Sequence, residues 1–218
     1  MTQRTSKKPP AKPTRNLSTL WWIIGGVVGL TLIVLLAISI AGEEEIDTTV
    51  GYGEVTVEGD PLPTFSDPSN DPAAGMTLAT VSGGDWDGNQ YTIAPDGTPK
   101  IVLLLAHWCP HCQAEVPVVQ QWVDAGNLPD GIDMYSLTVF TDPLRGNWPP
   151  QEWLEDAGWT TPVIMDDEAG TAAVTFGMAS TPMYVVLDGD NKVVQRVSGE
   201  IGTDGLDALS LIALQAAG

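Results

Sequence analysis

Residues 100–106, KIVLLLA, run straight into His107-Trp108-Cys109-Pro110-His111-Cys112, and this junction constrains the fold more than any other part of the chain. An apolar run of this length, without polar alternation, describes a strand covered on both faces, so its sheet needs helices on either side. Pro110 suits a first helical position, where its missing N–H is no loss. A helix is therefore expected over 110–125, with Pro117 removing the bond to Gln113 and kinking it. Further strands are expected over 133–140, 163–165, 183–187 and 192–198, the last two forming a hairpin around Asp188-Gly189-Asp190-Asn191. Helices are expected over 150–157, 170–176 and 206–216. Residues 76–81 and 90–93 read as short strands around the polar turn GGDWDGN. Strands alternating with helices, closing with a hairpin and a helix, predict an α/β fold with one central mixed sheet flanked by helices.

Charge divides the chain. Five of the 9 Lys+Arg (Arg4, Lys7, Lys8, Lys12, Arg15) lie within residues 1–19, which contain no acid. After Gly42 only Lys100, Arg145, Lys192 and Arg196 stand against all 28 acids, a balance of −24. Such acidity argues against nucleic acid as a partner, since phosphate binding needs clustered Lys and Arg. Between the two parts lies an uncharged stretch, residues 20–41, long enough as a helix to cross a bilayer core of about 30 Å. Trp21 and Trp22 open it, where amphipathic rings favour the headgroup layer. The basic flank stays cytoplasmic, which places residues 43–218 outside the cell membrane of a bacterial envelope, behind a single-pass signal-anchor. Cleavage after Ser39-Ile40-Ala41 is the alternative, but the apolar segment exceeds the ~7–15 residues of a signal h-region. Residues 42–75, rich in Pro, Gly and acids, read as a linker, with Val55 and Val57 forming at most one short strand. The organisation expected is a tail over 1–19, an anchor over 20–41, a linker over 42–75 and a folded domain over 76–218.

Cys109 and Cys112 are the only cysteines, too few for a disulfide scaffold or a four-thiolate zinc site. At a strand-to-helix junction Cys109 serves as N-cap, where the positive end of the helix favours a thiolate. Cys112 follows one turn later on the same face, near enough to close an intramolecular disulfide. His111, protonated or as a donor, adds to the stabilisation of the thiolate. Other uses stay open on the residues alone. A structural disulfide over so short a loop restrains the unfolded chain little. A metal could be sought by His107, Cys109, His111 and Cys112, although alternating strand and cap positions disfavour convergence of all four. Haem attachment would need His where Gln113 stands.

Together these residues resemble the thioredoxin-like superfamily, in particular its membrane-anchored TlpA/ResA-type thiol–disulfide oxidoreductases. Trp108-Cys109-x-x-Cys112 is similar to the active-site motif. The segment from Phe176 through Thr181-Pro182 to Asp188 is similar to the second signature, and Asp60-Pro61-Leu62-Pro63-Thr64-Phe65 to the opening of such domains. The resemblance thus runs over 60–218, so the domain opens at 60 or at 76. It implies a thioredoxin-like fold, Cys109 as attacking and Cys112 as resolving thiol of a redox-active disulfide, and no cofactor or metal. It also implies that Pro182 is cis and faces the dithiol, with the Thr181 backbone pairing to an extended substrate. Trp108 would flank the site. Glu115 matches the buried carboxylate of the ResA-type reductases; on the residues alone it could equally be a surface helix acid. Two departures pull in opposite directions. Leu103 stands where thioredoxin carries a buried aspartate, and the Pro110-His111 dipeptide resembles the oxidising DsbA-type motif.

The function expected is disulfide exchange with exported protein thiols and disulfides, coupled to a membrane redox partner, in an undetermined direction. A reductase of the cytochrome c maturation type is a narrower alternative. A copper or other metal chaperone using the Cys/His cluster is an alternative of another class, and an inert binding module with a structural disulfide a third. Asp85, Asp87 and Asn89, and likewise Asp188 to Asn191, read as turns rather than calcium loops.

Overall fold

The computed structural model describes residues 17–40 and 49–216, and the chain divides into two compact units, Met1–Ile46 and Asp47–Gly218. The first holds helix α1, Leu17–Ile40, of 24 residues, or about 36 Å at 1.5 Å per residue. Side chains at 17–20, 23, 34 and 37–40 fall outside the described residues, as does Ala41. Among the described residues no helix is long and apolar enough to cross a membrane.

The second unit is built on β4, Lys100–Leu105, every residue of which is buried. It lies at the centre of a five-stranded sheet of order β6-β5-β4-β7-β8. The other strands are β5 (Asp133–Thr138), β6 (Val163–Met165), β7 (Met183–Leu187) and β8 (Val193–Ser198). β5 runs parallel to β4 and β7 antiparallel, so the sheet is mixed. Side chains alternate across β4 as strand geometry requires. Ile101, Leu103 and Leu105 face helices α2 (Pro110–Asp124) and α5 (Gly202–Ala216), while Val102 and Leu104 join the opposite core. The short helices α3 (Pro150–Asp156) and α4 (Thr171–Thr175) complete the cover.

Two expectations need correction. There are two sheets rather than one: β1 (Val55–Glu58), β2 (Thr80–Gly84) and β3 (Gln90–Ile93) form a separate antiparallel sheet. It packs closely on the larger one, since a Cβ on Gly83 would stand 2.7 Å from Ile164 Cγ2. Nor do residues 49–75 behave as a spacer. β1 pairs with β2 in full register, and Leu62, Phe65 and Ala73 are buried in the core. Leu62 N–H donates to Thr175 O at 2.9 Å and Phe65 N–H to Gly177 O at 2.8 Å. Asp71 pairs with the fully buried Arg196 of β8. Past β1 the segment lacks an apolar period because it continues as irregular backbone, held at single points rather than along a ladder. Gly177, at φ 63°, admits its close approach, since a Cβ there would lie 2.4 Å from Pro63 O.

Smaller boundary shifts have local causes. β5 stops at Thr138 because Phe140 turns to φ 51°. The strand expected over 76–81 begins only at Thr80, because Leu78 N–H and Met76 O bond instead to the turn at Asn191 and to Val193. The acidic turns are closed by their own side chains: Asp85 Oδ1 accepts from Asp87 and Asn89 N–H, and Asp188 Oδ1 from Asp190 and Lys192 N–H.

Candidate active site

β4 delivers the chain to Cys109, which caps α2 in extended conformation with Pro110 directly after it. Both thiols are unbonded. Cys109 keeps 6% of its surface exposed and Cys112 none. Burial raises the Cys109 pKa, but hydrogen bonds with Thr181, with Cys112 and with the His111 N–H outweigh it, so the group falls below its ordinary value. Burial and the neighbouring Cys109 push Cys112 up to about 12, although its Sγ accepts the Ala106 N–H at 3.5 Å. One thiol is thus prepared to ionise and its neighbour is held protonated.

The second signature arrives from the adjacent strand. β7 is antiparallel to β4, with Leu104 opposite Met183, which brings Thr181-Pro182, a cis peptide, beside the dithiol. Cys109 Sγ–H donates to Thr181 O at 3.5 Å. Trp108 lies half-buried alongside, its indole N–H donating to Phe140 O at 2.7 Å, with the Arg145 guanidinium 4.0 Å from its ring centroid.

Glu115 is buried, 2% exposed, which excludes its reading as a surface helix acid. Its Oε1 accepts the Tyr184 hydroxyl at 2.7 Å and the Ile201 and Gly202 N–H groups at 2.9 and 3.1 Å. The carboxylate therefore joins α2 to the otherwise orphaned N–H groups that open α5. Tyr184 lies across from Leu103 in the β4–β7 register. The site's buried acid comes from the helix, where thioredoxin would supply one from the strand. Tyr184 is not among the residues expected at the site; its signal in the sequence is a phenol inside the apolar strand MYVVL, since a buried hydroxyl needs a partner.

The metal-binding alternative would need His107 and His111 to converge on the thiols, and both rings are engaged elsewhere. His111 is exposed and bonds Glu200 Oε1 at 2.6 Å, and that carboxylate raises its pKa. His107 is buried, with Nδ1 bonded to Gly146 O at 2.8 Å and Nε2 accepting Asp142 N–H at 3.2 Å. Among the described residues no group of three or more His, Cys, Asp or Glu is placed to hold a metal.

Residues 57–209 match the family model described as Redoxin. This chain belongs to the redoxin family. Among its relatives is the thiol:disulfide interchange protein DsbE of Pasteurella multocida, 26% identical over 118 residues, a match covering 53% of this redoxin and 60% of that protein. The thiol:disulfide interchange protein HelX of Rhodobacter capsulatus is 26% identical over 109 residues, covering 50% and 57%. The redoxin thus spans about three fifths of these relatives' length. StoA from Bacillus subtilis, a solved structure, superimposes with a TM-score of 0.54 at 18% identity, covering 64% of this redoxin and 99% of that chain. That likeness shows the thioredoxin-type fold shared by the two.

Proposed function

We propose that this redoxin is a membrane-tethered, extracytoplasmic thiol–disulfide oxidoreductase that acts on exported proteins through Cys109 and Cys112. The observation that carries the reading is the inequality of the two thiols. Cys109 is partly open, sits at a helix N-terminus and is lowered in pKa, whereas Cys112 is sealed and raised. In the reducing direction, Cys109 thiolate attacks one sulfur of a substrate disulfide and expels the other as a substrate thiolate. Cys112 then loses its proton and attacks Cys109 Sγ. The second substrate thiolate leaves, and two electrons have passed to the substrate as the Cys109–Cys112 disulfide forms. The oxidising direction runs through the same mixed disulfide in reverse. A membrane redox partner would restore the starting state.

The reducing direction is favoured by the burial of Glu115, the feature that the ResA-type resemblance attaches to reductases. A role in cytochrome c maturation would be its narrower form. The tether is supported by the uncharged stretch 20–41, its basic flank, and the acid-rich chain that follows. Trapping tests the reading: Cys112→Ala should accumulate mixed disulfides with envelope proteins through Cys109, while Cys109→Ala should trap none. Adducts on Cys112, or exchange that persists without Cys109, would overturn it. The reduction potential assigns direction, with a value near −270 mV marking a reductant and one near −120 mV an oxidant.

A further inference from the structure

Residues 198–202 carry the chain from the end of β8 into α5, and they are fastened to the site on both sides of Glu200. Before it, Gly199 N–H donates to Pro182 O at 2.8 Å and the Ser198 hydroxyl to the same oxygen at 3.2 Å. After it, the Ile201 and Gly202 N–H groups both meet Glu115 Oε1. Gly199 at φ 98° and Gly202 at φ 61° bend the backbone at these anchors, in conformations that glycine adopts without steric cost. Glu200 is thus held between the cis proline and the buried acid. Its own Oε1 accepts His111 Nδ1–H at 2.6 Å, at the head of α2.

The two side chains are 69% and 45% exposed, and an ion pair so open to water adds little to folding stability. What the bond alters is the ring. A carboxylate only accepts, so Nδ1 keeps its hydrogen and Nε2 is left as the nitrogen that titrates. The hydrogen bond and charge of Glu200 raise the pKa of the ring, and Cys109 adds to this in the same direction as a smaller cause. These are the titratable groups acting on His111: Glu200 from the approach to α5, and Cys109 from the N-cap of α2. Coupling between two sites is reciprocal, so a thiolate that favours the imidazolium is favoured by it to the same extent.

We propose that Glu200 is a positioning residue of the dithiol: pinned between Pro182 and Glu115, its carboxylate clamps the His111 ring as a cation, and that cation sustains the Cys109 thiolate. This deepens the oxidoreductase reading and rests on it. The effect is largest at about pH 8, where an unassisted imidazole is almost wholly neutral. Glu200 and the thiolate carry like charges and repel, so the sign of the effect reveals whether the carboxylate acts through the ring.

The test uses the reduced full-length chain. Glu200→Gln keeps an acceptor for Nδ1–H and deletes only the charge. Proton NMR of the imidazole should show the His111 pKa falling toward its ordinary 6.5; the chain has only two histidines, and His111→Gln identifies the signal. The inflection of Cys109 alkylation against pH should move upward in Glu200→Gln. Its equilibrium with glutathione at about pH 8 should move about two- to threefold toward the Cys109–Cys112 disulfide, the scale of one exposed charge pair. His111→Gln should raise the same inflection, and adding Glu200→Gln to it should raise it no further. A Cys109 inflection that stays in place or falls in Glu200→Gln would overturn the proposal, as would a rise that persists without His111. So would a loss of stability in urea with both titrations unmoved, which would make the pair a structural tie. If the wild type itself forms no Cys109–Cys112 disulfide in the glutathione buffer, the oxidoreductase reading fails; if it does and the titrations stay still, only the role of Glu200 falls.

Discussion

Selective alkylation offers the sharpest quantitative check on the dithiol. With Cys112 at about 12 and Cys109 below its ordinary value of 9.0, the pKa gap exceeds three units. At neutral pH the Cys109 thiolate is then at least about a thousandfold more abundant than that of Cys112. The more basic thiolate is intrinsically the better nucleophile, and a Brønsted slope of about 0.4–0.5 returns part of that factor. The net advantage of Cys109 is still roughly 30- to 60-fold. Complete burial of Cys112 widens it further. The assay is a short iodoacetamide pulse on the fully reduced chain, quenched and read site by site by mass spectrometry across pH. Cys109 labelling should rise through an inflection below 9.0, and Cys112 should label only in strong base or after unfolding. Labelling of Cys112 within tenfold of Cys109 at pH 7 would refute the reasoning, as would a Cys109 inflection at or above 9.0.

Two further expectations concern what holds the site and the fold. Tyr184→Phe removes only the hydroxyl that donates to Glu115 at 2.7 Å and should cost about 0.5–1.5 kcal/mol in urea unfolding, the net worth of one hydrogen bond; no measurable loss would show that the bond contributes nothing. Arg196→Met leaves Asp71 without its buried partner and should cost about 3–5 kcal/mol, with Asp71→Leu added on top restoring most of the loss. The Arg196 hydrogen bond holds the Asp71 carboxyl below its ordinary 3.8, so this stabilisation is complete above that pH and disappears as pH falls through the folded-state value. Wild-type acid titration followed by circular dichroism should therefore show a loss of stability below pH 3.8 that is smaller in the double variant, which keeps the lowered carboxyls of Asp85, Asp96 and Asp167.

Much of the site was legible in the sequence because it lies at the ends of two strongly patterned strands. KIVLLLA announced β4, and an apolar strand introduced by Thr181-Pro182 announced β7. Their antiparallel pairing brings the two signatures together. The rest depended on contacts between residues far apart in the chain, for which composition carries no signal. Asp71 looked like one acid in a Pro-rich spacer, and only the fold reveals Arg196 125 positions away beside it. Glu115 looked equally suited to surface and core, because its donors come from β7 and from the start of α5. His107 suggested a metal ligand by its nearness to Cys109, yet the backbone of a loop 35 to 39 positions further on engages its ring. The separate β1-β2-β3 sheet was hidden because its strands are only four or five residues long, too short for their alternation to stand out from the surrounding turns.

The burial of Lys100 and Arg196 also governs how this redoxin meets other molecules. Of the four cations after Gly42, these two are fully enclosed. Arg145 and Lys192 are left as the surface cations of a segment carrying 28 acids. The field around the folded unit is accordingly negative, with one local relief where Arg145 lies over Trp108 beside the reactive cysteine. Collisions with anionic partners are slowed and those with cationic partners accelerated, both with a reach of about 8–10 Å at ordinary ionic strength. Salt concentration therefore sets the encounter rate, while the thiols set what happens after contact.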